Sequence, residues 1–136
     1  GITMVKKYTN GAFAVVIRDN EVLLAQLPSW AREGEKWTIP GGVVEVGEEP
    51  RDGATREVQE ETNITIETTD LLRVYPTDDL KLSFYLGEYI KGDIKIQEDE
   101  LIDARWVPRD EISQLTLAYA NTQEVLDLAF AKHAAK

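Results

Sequence analysis

The sequence predicts a single α/β domain, and three observations support this fold class. The chain has 136 residues, which is the size of one domain and is enough to bury roughly two thirds of the surface that an unfolded chain exposes. Segments rich in valine, leucine and aromatic residues, as in strands, flank two segments with helical spacing. No repeat or linker divides the chain. We expect one domain over residues 4–136, with residues 1–3 left from expression because Met4 is the sole methionine.

Composition narrows the class of partner. Hydrophobic residues make up 43% and charged residues 29% of the chain, as in ordinary globular proteins. No apolar run approaches the ~20 residues of a transmembrane helix, so we expect no membrane partner. The lack of cysteine and of a signal-peptide pattern favours a cytoplasmic location. The net charge of −10 argues against nucleic acid as the main partner, whereas a small phosphorylated substrate is compatible because bound cations reverse the local field.

Seven strands are predicted from apolar alternation and from the turn residues between them. Asp19-Asn20 and Asp78-Asp79 suit two-residue hairpin turns, whereas residues 28–36 have no clean period and are predicted as a loop. Residues 40–42, Pro-Gly-Gly, are expected to interrupt the strands. The predicted strands cover residues 8–18, 21–27, 37–39, 43–46, 71–77, 80–90 and 104–107.

Two helices are predicted. The first begins at Pro50, whose missing N–H costs nothing there, and runs to about Thr62; Asn63 suits the left-handed position that closes a helix. The second covers residues 121–133, with Asn121 as its N-cap. On a helical wheel the first helix has a small-residue face that packs on a sheet and another face toward water. The packing face comprises Ala54, Val58 and Thr62, and the water face comprises Asp52, Thr55 and Gln59.

Three glutamates share one stripe of the first helix. At 100° per residue, with Glu57 at zero, Glu61 lies at about +40° and Glu60 at about −60°. Like charges at these spacings destabilise a helix by about 0.2–0.5 kcal/mol per pair, and a hard cation such as Mg²⁺ relieves the repulsion. Taken alone, the triplet is also compatible with a solvated acidic face. Arg56 is placed to reach Glu60, one turn further along the helix.

The glycines near this stripe are compatible with a ligand-binding site. Gly41 and Gly42 lie just upstream, where backbone carbonyls can approach a metal without side-chain obstruction. Gly53 sits one turn before Glu57 and costs about 1 kcal/mol relative to alanine in a helix interior. Its position indicates either room for a ligand or a local packing requirement.

These residues resemble the Nudix box, G-x5-E-x7-R-E-U-x-E-E-x-G-U, in which U is aliphatic. Residues 42–64 match it from Gly42 through Glu48 and Arg56 to Ile64, and only Asn63, in place of the final glycine, departs. Residues 37–42 and 105–108 resemble the strands that flank the box in this family. The resemblance implies a Nudix-type α/β/α sandwich with a mixed β-sheet and the box helix packed on it.

The resemblance also implies site residues. By analogy the metal ligands are Glu57, Glu60, Glu61 and the carbonyl of Gly41, and Glu48 supports the loop or binds metal through water. Glu100 lies where related enzymes supply another metal ligand or the general base, although residues 97, 98, 99 and 103 leave the register open. Arg56 is expected to hold the carboxylate of Glu60 in place.

The implied activity is hydrolysis of a phosphoanhydride. Mg²⁺, with Mn²⁺ as a substitute, polarises the bond and activates a water, and Glu61 or Glu100 takes the proton. The substrate is expected to be a small nucleotide. A monomer and a homodimer both stay open.

Substrate recognition is expected outside the box. Trp30 is the first candidate for stacking on the base, with Tyr75 and Tyr85 behind it, and Arg32 and Lys36 are candidates for the phosphates. The other two tryptophans, Trp37 and Trp106, lie in strands and are expected in the core. The sole histidine, His133, is expected to have no functional role.

Several functions compete. Relatives that act on nucleoside triphosphates often carry arginine at the end of the second strand, where this chain reads Leu-Ala-Gln-Leu at residues 24–27. A nucleoside diphosphate linked to another group, such as ADP-ribose, is therefore favoured over a (d)NTP or an oxidised nucleotide. An inactive Nudix-fold binding module need not retain the repelling charges. The isomerase branch of the superfamily requires a cysteine, which this chain lacks.

Overall fold

A mixed sheet with one α-helix on each face forms the body of the protein, in a computed structural model that describes residues 9–136. The strands are β1 (Thr9–Arg18), β2 (Glu21–Gln26), β3 (Trp37–Thr38), β4 (Gly41–Val43), β5 (Thr65–Pro76), β6 (Leu80–Lys91) and β7 (Asp103–Pro108). The helices are α1 (Pro50–Thr62), α2 (Thr122–Ala134) and a short 3₁₀ helix (Arg109–Gln114). Tyr8 and the other residues before Thr9 lie outside the described part. Among residues 9–136, no helix has the length and hydropathy of a membrane span.

The sheet has the order β3-β2-β1-β6-β5, with β4 added to β1 and β7 added to β2. The central pair, β1 and β6, is parallel, and all the other pairs are antiparallel. The mixed sheet implied by the resemblance is therefore confirmed.

Strand β1 separates two cores because its side chains alternate between the two faces. Ala12, Ala14 and Val16 are fully buried on the α1 side, whereas Val15 and Ile17 belong to the cluster on the α2 side. The small residues allow α1 to approach the sheet closely. The larger ones pack against α2, which completes the α/β/α sandwich.

Helix α1 has the predicted bounds. Pro50 occupies its first turn, and Asn63 follows it with a left-handed φ of 67° while its N–H donates to the carbonyl of Gln59 at 2.9 Å. Asparagine thus fills the role of the usual glycine. One predicted exposure was wrong. Thr55 is half-buried, because its hydroxyl lies 2.7 Å from that of Thr68 in β5.

The expected interruption at residues 40–42 was confirmed only at Pro40, because Ile39 and Pro40 separate β3 from β4 whereas Gly41 and Gly42 lie in a strand. The predicted strand at 43–46 was wrong beyond Val43. Strand β4 consists of Gly41–Val43 and pairs with β1, and Val46 is fully exposed. A Cβ atom at Gly41 would lie 2.3 Å from the carbonyl oxygen of Ala12. These glycines therefore permit a close pairing of strands instead of ending one.

Two further predictions needed correction, and one element was not predicted. Strand β5 begins at Thr65, six residues before the predicted start at residue 71, because Ile66 and Thr68 continue the alternation of buried side chains. Asn121 precedes α2, but its side chain makes no capping hydrogen bond. The 3₁₀ helix after β7 was not predicted.

Candidate active site

The predicted acidic stripe runs along the exposed edge of α1. Nη1 of Arg56 donates to Oε1 of Glu57 at 3.0 Å and to Oε2 of Glu60 at 3.1 Å, so both carboxylates lie beside one guanidinium. Glu61, one residue further, is turned inward and is only 9% exposed. The stripe therefore passes from solvent into the protein within one turn of helix.

The main partner of Arg56 is Glu48, whereas the sequence predicted Glu60. Its Nε and Nη2 donate to the two oxygens of Glu48 at 2.8 and 3.0 Å, and Nη2 also donates to the carbonyl of Val43 at 3.1 Å. The ion pair lowers the pKa of Glu48 and raises that of Arg56. Because Glu48 also accepts the N–H of Glu45 at 3.1 Å, it stiffens the loop between β4 and α1. Arg56 thus fastens this loop to the helix.

Gly53 leaves room for Glu48. A Cβ atom at Gly53 would lie 3.0 Å from Oε1 of that glutamate and 3.3 Å from a methyl group of Val44. Of the two readings of this glycine, the structure favours local packing.

A negative charge on Glu61 is unfavourable in this environment. Burial, followed by the charge of Glu57, raises the pKa of Glu61 to about 8, and the N–H of Gly41 only partly opposes this. Burial also raises the pKa of Glu57, despite the nearby Arg56. The charge of Glu100 acts in the same direction on both groups. Glu100 is therefore near enough for its charge to act on both carboxylates.

Asp103, one of the other carboxylates named for the Glu100 register, is arranged differently. Asp103 accepts a hydrogen bond from Nε of Arg105 at 2.7 Å and another from the N–H of Ala104 at 2.8 Å. Its oxygens are thus engaged at the start of β7. The surrounding contacts favour Glu100 over Asp103.

The backbone of β4 lies against the carboxylates. Gly41 faces Phe13 of β1, between the hydrogen-bonded pairs on either side, so its N–H and carbonyl point away from β1. A Cβ atom at Gly42 would lie 2.6 Å from the carboxyl carbon of Glu57. A side chain at residue 42 would displace the Glu57 carboxylate from this position. The orientation of Gly41 is compatible with the predicted role of its carbonyl.

The donor set suits a hard cation. Within residues 9–136, no three acidic or histidine side chains converge as a ready-made metal site, because Arg56 draws Glu57 and Glu60 toward itself. Carboxylate oxygens are nevertheless the ligands that Mg²⁺ prefers, and a cation would relieve the raised pKa values of Glu57 and Glu61. Rotation of these side chains away from Arg56 would expose their oxygens to it.

A cavity of about 360 Å³ adjoins the stripe, and Glu61 forms part of its wall. Phe13 and Phe84 stack in this wall with their ring centroids 4.9 Å apart. Most of the lining is apolar, and the polar side chains besides Glu61 belong to Thr38, Tyr119, Asn121 and Thr122. An apolar cavity with a few polar groups is the usual form of a small-molecule site.

The residues predicted from the sequence to bind substrate do not line this cavity. Trp30 is 75% exposed on the loop between β2 and β3. Arg32 is exposed on the same loop, and Lys36 is held by Glu33, with Nζ and Oε2 2.6 Å apart. The structure thus places these three side chains on one loop outside the cavity.

The aromatic candidates in the sheet pack elsewhere. Tyr85 is 8% exposed in the core beneath α1, and Tyr75 packs edge-on against Phe84 with ring centroids 5.7 Å apart. Trp37 is buried as expected, whereas Trp106 is only partly buried beneath the guanidinium of Arg18, 4.1 Å away.

Among the residues that line the cavity, sequence reasoning found Gly41 and Glu61 but missed the aromatic and polar residues of the opposite wall. Phe13 carries no signal beyond the alternation of β1. Tyr119 lies in an irregular segment before α2, and Asn121 was explained as a helix cap. The one usable signal was the group of polar side chains at the start of α2, which comprises Tyr119, Asn121 and Thr122.

The comparisons with known proteins agree with this geometry. The NUDIX domain model matches residues 7–129. NAD-capped RNA hydrolase NudC of Pseudomonas aeruginosa is 30% identical over 97% of this chain and 48% of its own length. A nucleoside triphosphate pyrophosphatase/Nudix hydrolase fusion protein of Bifidobacterium longum is 32% identical over 82% of this chain and 26% of its own. The chain thus spans less than half the length of these relatives.

A solved structure gives the same fold. The crystal structure of a NUDIX hydrolase from Nitrosomonas europaea superposes with a TM-score of 0.85, at 24% identity, over 98% of this chain and 76% of that one. The sequence of the box and the fold that carries it therefore indicate the same family. This chain belongs to the Nudix hydrolase family.

Proposed function

We propose that this chain is a magnesium-dependent hydrolase of a pyrophosphate bond in a nucleoside diphosphate that is linked to another group. The observation that carries the proposal is the position of Glu61, which belongs to the carboxylate stripe and also lines the apolar cavity. A nucleoside in the cavity would extend its phosphates past Glu61 toward the other carboxylates. Glu61 would then contact the bound nucleotide and also take part in the reaction.

Each residue of the proposed site would have a distinct role in the reaction. Glu57, Glu60, Glu61, Glu100 and the carbonyl of Gly41 would hold the metal, and Arg56 would steady the carboxylates. A bound magnesium ion would neutralise charge on the phosphates and lower the pKa of a water. Water adds to one phosphorus, the bridging P–O bond breaks, and Glu61 or Glu100 accepts the proton of the water. The products are two phosphate esters.

The end of β2 supports a diphosphate derivative over a triphosphate. Gln26 occupies this position, and its amide donates to the carbonyl of Glu35 at 2.9 Å, which closes the loop. No arginine is present there. The NudC relative is named for NAD-capped RNA, and NAD itself consists of two nucleotides joined by a pyrophosphate. We propose the free small nucleotide as substrate, because the charge of −10 disfavours an RNA backbone.

A substrate screen tests this function. Nucleotide sugars, dinucleotides, dinucleoside polyphosphates and nucleoside triphosphates are incubated with the protein and Mg²⁺, and the products are identified by chromatography. The expected products are two phosphate esters, formed from a sugar nucleotide or dinucleotide. Nucleoside monophosphate plus inorganic pyrophosphate, formed from a triphosphate, would favour the triphosphate alternative.

Chelation tests the metal. Activity should disappear in excess EDTA and return with Mg²⁺ or Mn²⁺, and either cation should raise the Tm of the EDTA-treated protein. Full turnover in EDTA would contradict the metal role. Nucleotide binding without turnover of any class would indicate an inactive binding module instead.

A further inference from the structure

Asn63, the residue that departs from the Nudix box, makes a contact that glycine cannot make. Its backbone is left-handed, with φ 67° and ψ 9°, a conformation that glycine adopts with less strain. Closure of α1 therefore gives no reason for a side chain at this position. The side chain nevertheless has a partner, because Nδ2 donates to the carbonyl oxygen of Asp93 at 3.0 Å.

Asp93 begins a segment that is bound along the end of α1. The N–H of Lys95 donates to the carbonyl of Thr62 at 3.0 Å, and the N–H of Gln97 donates to that of Glu61 at 2.9 Å. Residues 63, 62 and 61 thus bond in succession to residues 93, 95 and 97. These bonds also satisfy carbonyls that the end of a helix otherwise leaves unpaired.

The same segment places Glu100. The N–H groups of Glu100 and Leu101 both donate to the carbonyl of Gln97 at 2.9 Å, which forms the turn that carries the carboxylate. The chain of contacts therefore runs from Glu61 through Gln97 to Glu100. Leu101 is buried and lines the cavity, so a shift of this turn would be felt there as well.

We propose that Asn63 is a positioning residue that fixes the register of residues 93–97 against α1 and thereby sets Glu100 beside Glu61. The anchoring itself is independent of the reaction, whereas its effect on turnover rests on the proposed function. Asn63 acts through the main chain and touches neither metal nor substrate. The departure from the box thus has a role of its own.

Amide hydrogen exchange tests the anchoring directly. Asn63→Gly keeps the left-handed closure of α1 and removes only the amide side chain, so Tm should stay close to that of the wild type. The N–H groups of Lys95, Gln97 and Glu100 should exchange faster, by roughly two- to tenfold for the loss of one hydrogen bond. Asn20→Gly, in the exposed turn between β1 and β2, is the matched control and should leave these amides unchanged. Equal exchange in Asn63→Gly and the wild type would overturn the proposal.

A double-mutant cycle tests the route through Glu100. Asn63→Gly should lower kcat by roughly two- to tenfold with little change in KM, and Mn²⁺ binding, measured by electron paramagnetic resonance, should weaken by a similar factor. In the Glu100→Gln background, Asn63→Gly should have no further effect on either quantity. An undiminished effect there, or faster exchange without any change in kcat and Mn²⁺ binding, would overturn the positioning role.

The readouts separate this proposal from the proposed function. A wild-type protein that turns over no nucleotide would defeat the function, while exchange and Mn²⁺ binding would still decide whether Asn63 positions Glu100. Asn63→Asp provides a second variant, because it keeps the shape but sets a carboxylate oxygen against the carbonyl of Asp93. It should accelerate exchange at least as much as Asn63→Gly.

Discussion

Arg56 donates two hydrogen bonds to Glu48, of 2.8 and 3.0 Å. The third nitrogen of the same guanidinium donates to Glu57 and Glu60 of α1. This planar fork has five N–H donors, which a lysine ammonium cannot reproduce. The loop before α1 and the acidic stripe are consequently held by one side chain.

Arg56→Lys should therefore impair activity even though it keeps the charge. We expect kcat to fall by about 10- to 100-fold, as for residues that orient metal ligands, with a lower Tm because the paired hydrogen bonds to Glu48 are lost. Steady-state kinetics and thermal unfolding measure the two effects. Arg51→Lys, on the exposed side of α1, is the matched control. Similar behaviour of the two variants would show that the fork has no special role.

Glu57→Gln and Glu61→Gln should each lower kcat by on the order of a hundredfold or more, because each loses an anion that holds the metal. The free energy of unfolding of the metal-free protein should hold or rise, since repulsion along α1 decreases. Gln59→Glu, on the exposed face of the same helix, should change kcat little. If Gln59→Glu lowered kcat as much as Glu57→Gln, the stripe would be only a solvated acidic face.

The metal-free protein should lose stability as the pH rises from 5 to 8. Glu61 has a pKa of about 8 when folded against an ordinary value of 4.5, so the folded state binds the extra proton between these limits. Stability should thus fall by on the order of 1 kcal/mol per pH unit and level off above pH 8. Glu57 contributes in the same direction. Glu48 contributes in the opposite direction, but only at lower pH, because its pKa is lowered.

Urea unfolding in EDTA measures this slope. Glu61→Gln should remove most of it and should be more stable than the wild type at pH 8. An identical slope in both proteins would show that Glu61 ionises in the folded state as readily as in the unfolded chain.

Tyr119→Ala should raise KM, since the ring lines the cavity proposed for the base and stacking on a base contributes about 1–3 kcal/mol. Because Tyr119 is 53% exposed, Tm should change little. Trp30→Ala tests the stacking role predicted from the sequence, and we expect a smaller rise in KM because Trp30 lies outside the cavity. A larger rise for Trp30→Ala would place the base against the loop between β2 and β3.

The chemistry-bearing part of the fold could be predicted because its determinants are local. Pro50 and Asn63 limit α1, and helical geometry alone places Glu57 and Glu60 on one side. The wheel angles of the three glutamates did not predict how deeply Glu61 is buried. The extent of this burial depends on the cavity wall, which comes from distant strands.

The parts that could not be predicted depend on long-range contacts. Gly41 and Gly42 were read as a break because glycine usually ends strands, whereas close approach of β1 and Glu57 requires them. The cavity joins Phe13, Phe84 and Tyr119, which are far apart in the chain. No local pattern brings such residues together, so Trp30 was the more visible candidate.

The parallel pairing of β1 with β6 has a consequence for the order in which the chain folds. Thr9 lies opposite Leu80, and the whole of α1 lies in the stretch between these strands. Closing so long a loop lowers the chain entropy before the contacts between the strands can form. We therefore expect this pairing to form later and more slowly than the hairpin of β1 and β2. We expect Glu61 to become buried only when that step is complete, because Leu80, Leu82 and Phe84 of β6 line the same cavity. The rate at which a folding chain acquires its metal affinity should therefore report the closure of the central strands.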